Sequence, residues 1–311
     1  VSGLKVGVIG AGKWGTALAS VLSGDILLYS RNQTVVDEIN KLRTNQTVLP
    51  DLIIPDNVKA SANFNDLSAC EVVLIVTPSQ TIRGIAKQLN NMSFNGAVIV
   101  CSKGLEQKTL QFMYQAVLEE IGSKDKVAVL SGPNFAHEVA GCIPSATTIA
   151  ASEYGLASTL SKQLSSETFK LIANDDLIGT SLSGVVKNVL AIGSGAIIAT
   201  HGLGENTRAA FIAAAINELL PLYDALGANR STLFSMAGIG DIMLSCYSDR
   251  SRNMSLGMNI MINNMTTGQL TEGSISVDSL LLLAEKYNID LRHIKLVQIL
   301  LNGGSVANWL Y

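Results

Sequence analysis

Lys5-Val6-Gly7-Val8-Ile9-Gly10-Ala11-Gly12-Lys13-Trp14-Gly15-Thr16-Ala17-Leu18-Ala19-Ser20-Val21 is the stretch on which the reading of this chain turns. An apolar run ends in three glycines spaced G-x-G-x-x-G, and a helical pattern follows them. That order reads as strand, tight turn and helix. The glycines let the backbone turn sharply and lie against a pyrophosphate, whose charge then faces the free N–H groups and positive dipole end of the helix. Three glycines in six residues also make an ordinary strand-to-helix turn. The β-rich run before the loop and a second strand after it, Ile26-Leu27-Leu28-Tyr29, favour a dinucleotide.

The same apolar runs recur downstream. Val72-Val73-Leu74-Ile75-Val76 ends in Thr77-Pro78-Ser79, Ala97-Val98-Ile99-Val100 ends in Cys101-Ser102-Lys103-Gly104, and Val127-Ala128-Val129-Leu130 ends in Ser131-Gly132-Pro133-Asn134-Phe135-Ala136. Two more, Ala146–Ala150 and Phe169–Ala173, complete the first half. Continuous β-branched runs alternating with helical segments predict a parallel sheet buried on both faces. In such a sheet ligands bind beyond the carboxyl ends of the strands, so these strand ends share an edge with the glycine loop. Lys103 is then the first cation expected near the reactive end of the cofactor, or else a lysine in a solvated turn. Arg31 stands where an NAD-specific fold carries an acidic residue for the ribose 2′-hydroxyl. It suits a 2′-phosphate, leaving NADPH and NADH both open, and a surface arginine is the plainer alternative. Residues 32–63 predict one helix and then an irregular connection, because Leu49-Pro50 and Ile54-Pro55 interrupt the period.

Composition narrows the class. With 48% hydrophobic and 15% charged residues, 311 residues suffice for a large core in two domains. A net charge of −3 without a basic cluster argues against nucleic acid and anionic membranes. Cys70, Cys101, Cys142 and Cys246 are widely spaced, as reduced thiols of a cytoplasmic protein would be. No basic, apolar and small-residue leader pattern begins the sequence. The longest apolar run, Val189–Ala199, is shorter than the ~20 residues a bilayer requires and predicts a buried helix rather than membrane insertion. His137, His201 and His293 lack metal-ligand spacing, and no metal is expected.

Beyond Asp175 the period becomes helical and stays so, which puts a domain boundary near residue 178: 1–178 for the sheet and 179–311 for an all-helical domain. Ser181 to Gly193 is apolar nearly all round except for Lys187. A lysine in such a helix is buried only when paired or functional, and desolvation there favours proton transfer; the alternative is a side chain that snorkels to water. Asn188 beside it is placed to orient it or to bond a ligand. Met236-Ala237-Gly238-Ile239-Gly240-Asp241 brings an acid into a tight turn, to pair with a lysine or to cap a helix. Ser251-Arg252-Asn253 opens another helix with a hydroxyl, a guanidinium and an amide, a set suited to phosphate, although a surface salt bridge would also use Arg252.

Taken in order, the glycine loop, Ser102-Lys103-Gly104, Leu130-Ser131-Gly132-Pro133-Asn134-Phe135-Ala136, Val186-Lys187-Asn188, Met236 to Asp241 and Ser251-Arg252-Asn253 resemble the bacterial NAD(P)-dependent glycerol-3-phosphate dehydrogenase family over nearly the whole chain. The resemblance implies an α/β N-terminal Rossmann-type doubly wound sheet followed by an all-α C-terminal domain like that of 6-phosphogluconate dehydrogenase. It implies hydride transfer between NAD(P)H and C2 of dihydroxyacetone phosphate, giving sn-glycerol 3-phosphate for glycerophospholipid synthesis. By similarity Lys187 is the acid/base at the carbonyl oxygen, Lys103 polarises the same group and touches both ligands, and Asp241 holds the lysine. Gly132, Asn134, Ser251, Arg252 and Asn253 match substrate positions. Gly10, Gly12 and Gly15 form the cofactor loop, and Lys13, Trp14, Arg31, Lys103, Ala136, Arg252, Leu270 and Glu272 match cofactor contacts.

The chain departs from the family in three places. It has Asn134 where Ser or Thr is usual, a shortened segment before Glu272, and short final helices that bear on the homodimer surface, so a homodimer stays open. Two other readings compete: another two-domain NAD(P)-dependent hydroxyacid-type dehydrogenase, and a non-catalytic NAD(P)H-binding redox sensor.

Overall fold

The computed structural model describes residues 3–263 and 271–304. Through residue 174 the chain alternates strands and helices: β1 (Lys5–Ile9), α1 (Lys13–Val21), β2 (Asp25–Tyr29), α2 (Gln33–Leu42), β3 (Val58–Ser61), β4 (Val72–Ile75), α3 (Ile82–Asn91), β5 (Ala97–Val100), α4 (Met113–Ile121), β6 (Val127–Ser131), α5 (Ala136–Ala140), β7 (Ser145–Ala151), α6 (Tyr154–Leu164) and β8 (Phe169–Asn174). Then come only helices: α7 (Leu177–Ala199), α8 (Glu205–Leu226), α9 (Asp241–Tyr247), α10 (Arg252–Asn263), α11 (Glu272–Glu285) and α12 (Arg292–Leu301). Of the described residues, those through Ser102 together with Met113–Leu177 form one compact unit; Lys103–Phe112 and the residues from Ile178 form a second. Lys103 thus belongs with the helices, although it follows β5 closely in sequence.

The eight strands form one sheet in the order β3-β2-β1-β4-β5-β6-β7-β8. Every residue of β4 and β6 is buried, as apolar runs covered by helices on both faces must be. β1 lies between β2 and β4, in register from Ile9 to Tyr29 on one side and to Ile75 on the other. The chain winds one way from β1 and the other way from β4, so the glycine loop sits at the point where the winding reverses. Val6, Val8, Leu18, Leu28, Leu74 and Ile99 belong to the core beneath it.

Two elements differ from the sequence reading. β7 runs antiparallel to β6 within the expected parallel sheet. The only helix between them, α5, has five residues and is too short to carry the chain back along a strand as a crossover helix does. β3 lies within the stretch read as irregular. It has four residues at the sheet edge, with Lys59 exposed between buried Val58 and Ala60, which is too little for a period to show.

In the helical unit, α7 is the central element. Val185, Val186, Val189 and Leu190 are all buried, and α10 comes so close that a Cβ on Gly257 would lie 1.9 Å from the Ile192 carbonyl oxygen. α7 and α8 are each long and apolar enough to cross a bilayer by length and composition. The apolar window of α7 is 83% buried inside the protein, the condition of a core helix, so the eleven-residue run understated its length but not its place. Because the α7–α10 contact leaves no room for a methyl group, Gly257→Ala is expected to lower unfolding stability by about 2 kcal/mol. Urea denaturation checks this, and an unchanged midpoint would contradict the close approach.

Candidate active site

The helical unit buries two lysines against one carboxylate. Asp241 is the first residue of α9, and its side chain is 2% exposed. Lys187, midway along α7, places Nζ 3.2 Å from Asp241 Oδ1, and Lys103 forms an ion pair with Oδ2. One turn further along α9, Ser245 accepts a hydrogen bond from Lys187 Nζ at 3.0 Å and donates to Asp241 Oδ1 at 3.3 Å. The lysine side chains are 18% (Lys103) and 15% (Lys187) exposed, enough to reach a ligand but too little for free hydration. Two ammonium groups on one carboxylate leave a net positive charge, the sign that stabilises a carbonyl oxygen gaining electrons.

Burial sets the electrostatics. It pushes the Lys103 ammonium below its ordinary value, and the neighbouring charge of Lys187 acts the same way, while Asp241 opposes both. For Asp241, burial pushes the carboxyl up, but Lys103 and then Lys187 outweigh it and hold the group below the usual carboxylate range. The pairing reading of Asp241 therefore describes its surroundings better than a plain helix cap.

Asn188 extends the site. Its Nδ2 donates to Glu272 Oε2 at 3.4 Å, and its Oδ1 accepts from Asn253 Nδ2 at 2.9 Å. Asn253 Oδ1 in turn accepts from the Gly273 N–H at 3.1 Å. The starts of α10 and α11 are thereby laced to α7 beside Lys187. Ser251 is buried and accepts from the Met254 N–H at 3.4 Å at the start of α10, while Arg252 is exposed on the first turn. Thr271 and Ser274 form a reciprocal cap that places Glu272 in the first turn of α11. Leu270 lies outside the described residues.

Two side chains in this cluster escaped the sequence reading. Ser245 is detectable only by its spacing of four from Asp241 on a helix. Arg208, 6% exposed on α8, pairs with Glu205, donates to the Cys246 carbonyl at 3.3 Å and lies 3.9 Å over the Tyr247 ring. It satisfies and charge-complements the carboxyl end of α9, the short helix that carries Asp241 and Ser245. Burial pushes the intervening Cys246 thiol up to about 12, so it stays protonated despite the nearby charge of Lys187.

The sheet unit collects the remaining predicted positions at its carboxyl edge. A Cβ on Gly15 would lie 1.8 Å from the Gly10 carbonyl oxygen, and Gly10 itself has φ of +113°, so the loop closes only with glycine at both places. Around Gly12 nothing lies within 4 Å of a would-be Cβ, leaving the backbone there open to a pyrophosphate. The loop fits a dinucleotide. Lys13 and Arg31 are exposed, whereas Trp14 packs edge-on to Phe169 at 6.3 Å and is partly a core residue. Ala136 begins α5, which packs on α1. Gly132 lies against Thr147, and Asn134 donates to the Ala146 carbonyl at 3.3 Å. Among the described residues, no group of three His, Cys, Asp or Glu side chains is arranged to hold a metal ion.

Residues 5–157 match the family model for the NAD-dependent glycerol-3-phosphate dehydrogenase N-terminus, and residues 176–310 match the model for its C-terminus. The chain belongs to the NAD-dependent glycerol-3-phosphate dehydrogenase family. It is similar to a glycerol-3-phosphate dehydrogenase (NAD(P)+) of Mycobacterium tuberculosis, 39% identical over 92% of this chain and 89% of that one. The enzyme of the same name from Zymomonas mobilis is 38% identical over 98% of this chain and 91% of its own. The crystal structure of the glycerol-3-phosphate dehydrogenase from Coxiella burnetii superposes with a TM-score of 0.87 at 31% identity, covering 96% of this chain and 94% of that one. Membership makes the chain an NAD(P)-dependent oxidoreductase.

Removing the carboxylate leaves two buried cations facing each other. Asp241→Asn is expected to cost about 3–5 kcal/mol of stability at neutral pH. Because the folded-state pKa of Asp241 is depressed, its contribution is complete above its unfolded value of about 4 and is lost as pH falls through the lower folded value. Urea unfolding of wild type and variant should therefore converge on acidification. A gap independent of pH would contradict the arrangement.

Proposed function

We propose that the protein catalyses the reversible reduction of dihydroxyacetone phosphate at C2 by NAD(P)H, yielding sn-glycerol 3-phosphate for glycerophospholipid synthesis. One observation carries the reading: in a chain of this family, Lys103 and Lys187 converge on a single buried Asp241, an arrangement that suits carbonyl reduction by pairing a proton donor with a second cation. When bound, the reduced nicotinamide supplies the hydride that C2 receives. The residues of the chain do the rest. Lys187 Nζ, held by Asp241 and Ser245, donates the proton that the carbonyl oxygen takes up, so the carbonyl becomes a secondary alcohol. Lys103 polarises that oxygen as charge develops on it. In the reverse direction Lys187 accepts the proton.

Ser251, Arg252 and Asn253 at the start of α10 are the groups we assign to the substrate phosphate, where a guanidinium and free helix N–H groups suit an anion. Gly132 and Asn134 complete the substrate set. Gly10, Gly12, Gly15, Lys13, Trp14, Arg31 and Ala136 are the groups we assign to the dinucleotide, and by family similarity Lys103, Arg252 and Glu272 match cofactor contacts as well. Arg31 admits the 2′-phosphate of NADPH as well as NADH. A cytoplasmic location and a homodimer are compatible with this reading, and Cys70, Cys101, Cys142 and Cys246 are all free thiols.

A second reading exchanges the lysines. The depressed ammonium of Lys103 favours it, since a lysine that releases its proton more readily is the better donor. Arginine keeps the charge but never releases a proton in a protein, so Lys103→Arg separates the two. If Lys103 polarises, the variant retains measurable turnover while Lys187→Ala loses about 10²- to 10⁴-fold in kcat with cofactor binding intact. Consumption of NADPH or NADH at 340 nm with dihydroxyacetone phosphate measures this. Arg252→Ala should raise KM for that substrate, and binding of NADPH without any turnover would favour the sensor reading instead.

A further inference from the structure

Asn45 is 1% exposed in the segment that follows α2, unusual for an amide outside regular structure. Its neighbours are tied down on both sides. Thr44 Oγ1 and the Gln46 N–H both donate to Glu38 Oε1, at 3.0 and 2.7 Å. Arg43 donates to the carbonyls of Ile54 and Val58 at 3.1 and 2.9 Å, and to that of Pro55. From this braced backbone the Asn45 amide reaches back to the glycine loop. Its Nδ2 donates to the Ala11 carbonyl at 3.1 Å and to Thr16 Oγ1 at 3.0 Å, so both of its hydrogens are used. Thr16 is fully buried on α1.

The Ala11 carbonyl and the Gly12 N–H belong to one planar trans peptide and point in opposite directions. An oxygen turned toward Asn45 therefore turns the Gly12 N–H away from it. Gly12 is exposed, and the space beside it is open. We infer that Asn45 is a positioning residue for the dinucleotide: its amide sets the Ala11–Gly12 peptide plane and so aims the donor that the loop presents to the pyrophosphate. The inference rests on the reading that Gly10–Gly15 binds the cofactor.

Asn45→Asp keeps the shape but offers at most one O–H in place of two N–H donors; Asn45→Ser shortens the side chain out of reach. In calorimetric titration of the folded proteins, each should raise the Kd for NADPH about tenfold, the loss expected for one or two buried hydrogen bonds. KM for dihydroxyacetone phosphate at saturating NADPH should stay within about twofold, by the same argument that the loop touches only the cofactor. A merely structural role would lower the melting temperature and leave the Kd of the folded protein unchanged, and that result overturns the inference. If the aspartate variant does not fold, the serine variant carries the same expectation. Gly15→Ala, whose methyl collides with the Gly10 carbonyl, tests the underlying reading. Unchanged NADPH affinity there would sink the loop assignment altogether. Loss of binding in Gly15→Ala with normal binding in both Asn45 variants would sink only the role of Asn45.

Discussion

A single buried carboxylate organises the helical half of this protein. Asp241 is the anion that lets Lys103 and Lys187 occupy one nearly dry site. Without it the two ammonium groups would repel each other and each would carry an uncompensated desolvation cost. The elements that meet there are unrelated in sequence: the middle of α7, the start of α9 and the segment opening with Lys103, which lies 138 positions from Asp241. Ser245 and Arg208 support the carboxylate from further along α9, one through a hydrogen bond and the other through the end of the helix. Lys103, Lys187 and Asp241 together sum to one positive charge, the sign that suits a carbonyl oxygen gaining electrons in the proposed reduction.

The sheet unit solves a different problem, presenting backbone donors where no side chain intrudes. Close contact between Gly10 and Gly15 shapes the loop, and the Asn45 amide holds the Ala11 carbonyl from the buried side. Here the architecture is a frame of main-chain geometry, whereas the helical unit supplies ionisable side chains. A dehydrogenase needs both, one to fix the cofactor and one to manage the proton.

The frame could be read from the sequence because it is repetitive. Runs such as Val72–Ile75 and Val127–Leu130 have no face to spare for water, and that alone announces a covered sheet. The antiparallel entry of β7 could not be seen, since direction depends on the connection and not on the strand. Lys187 stood out as a charge in an apolar helix, but Asp241 after Gly-Ile-Gly looks the same whether it caps a helix or pairs with a distant lysine. Only burial and its two partners distinguish these. Asn45 carried no local signal, and Ser245 only its spacing of four from Asp241: a serine in a helix and a polar Thr-Asn-Gln turn are ordinary, and their importance comes from contacts with Lys187 and with Thr16. Trp14 was placed by its position in the motif, while its edge contact with Phe169 gives it a packing task as well.

The electrostatic coupling of Lys103 to Asp241 is what the site stands on. Its most direct measurement is a pH titration of the Lys103 ammonium by nitrogen-detected NMR, in the wild-type protein and in Asp241→Asn. Burial and Lys187 push the Lys103 pKa down while Asp241 props it up, so the wild-type value should fall below 10.5 and the variant value lower still. A Lys103 that titrates as an ordinary surface lysine, or one indifferent to the loss of Asp241, would contradict the account.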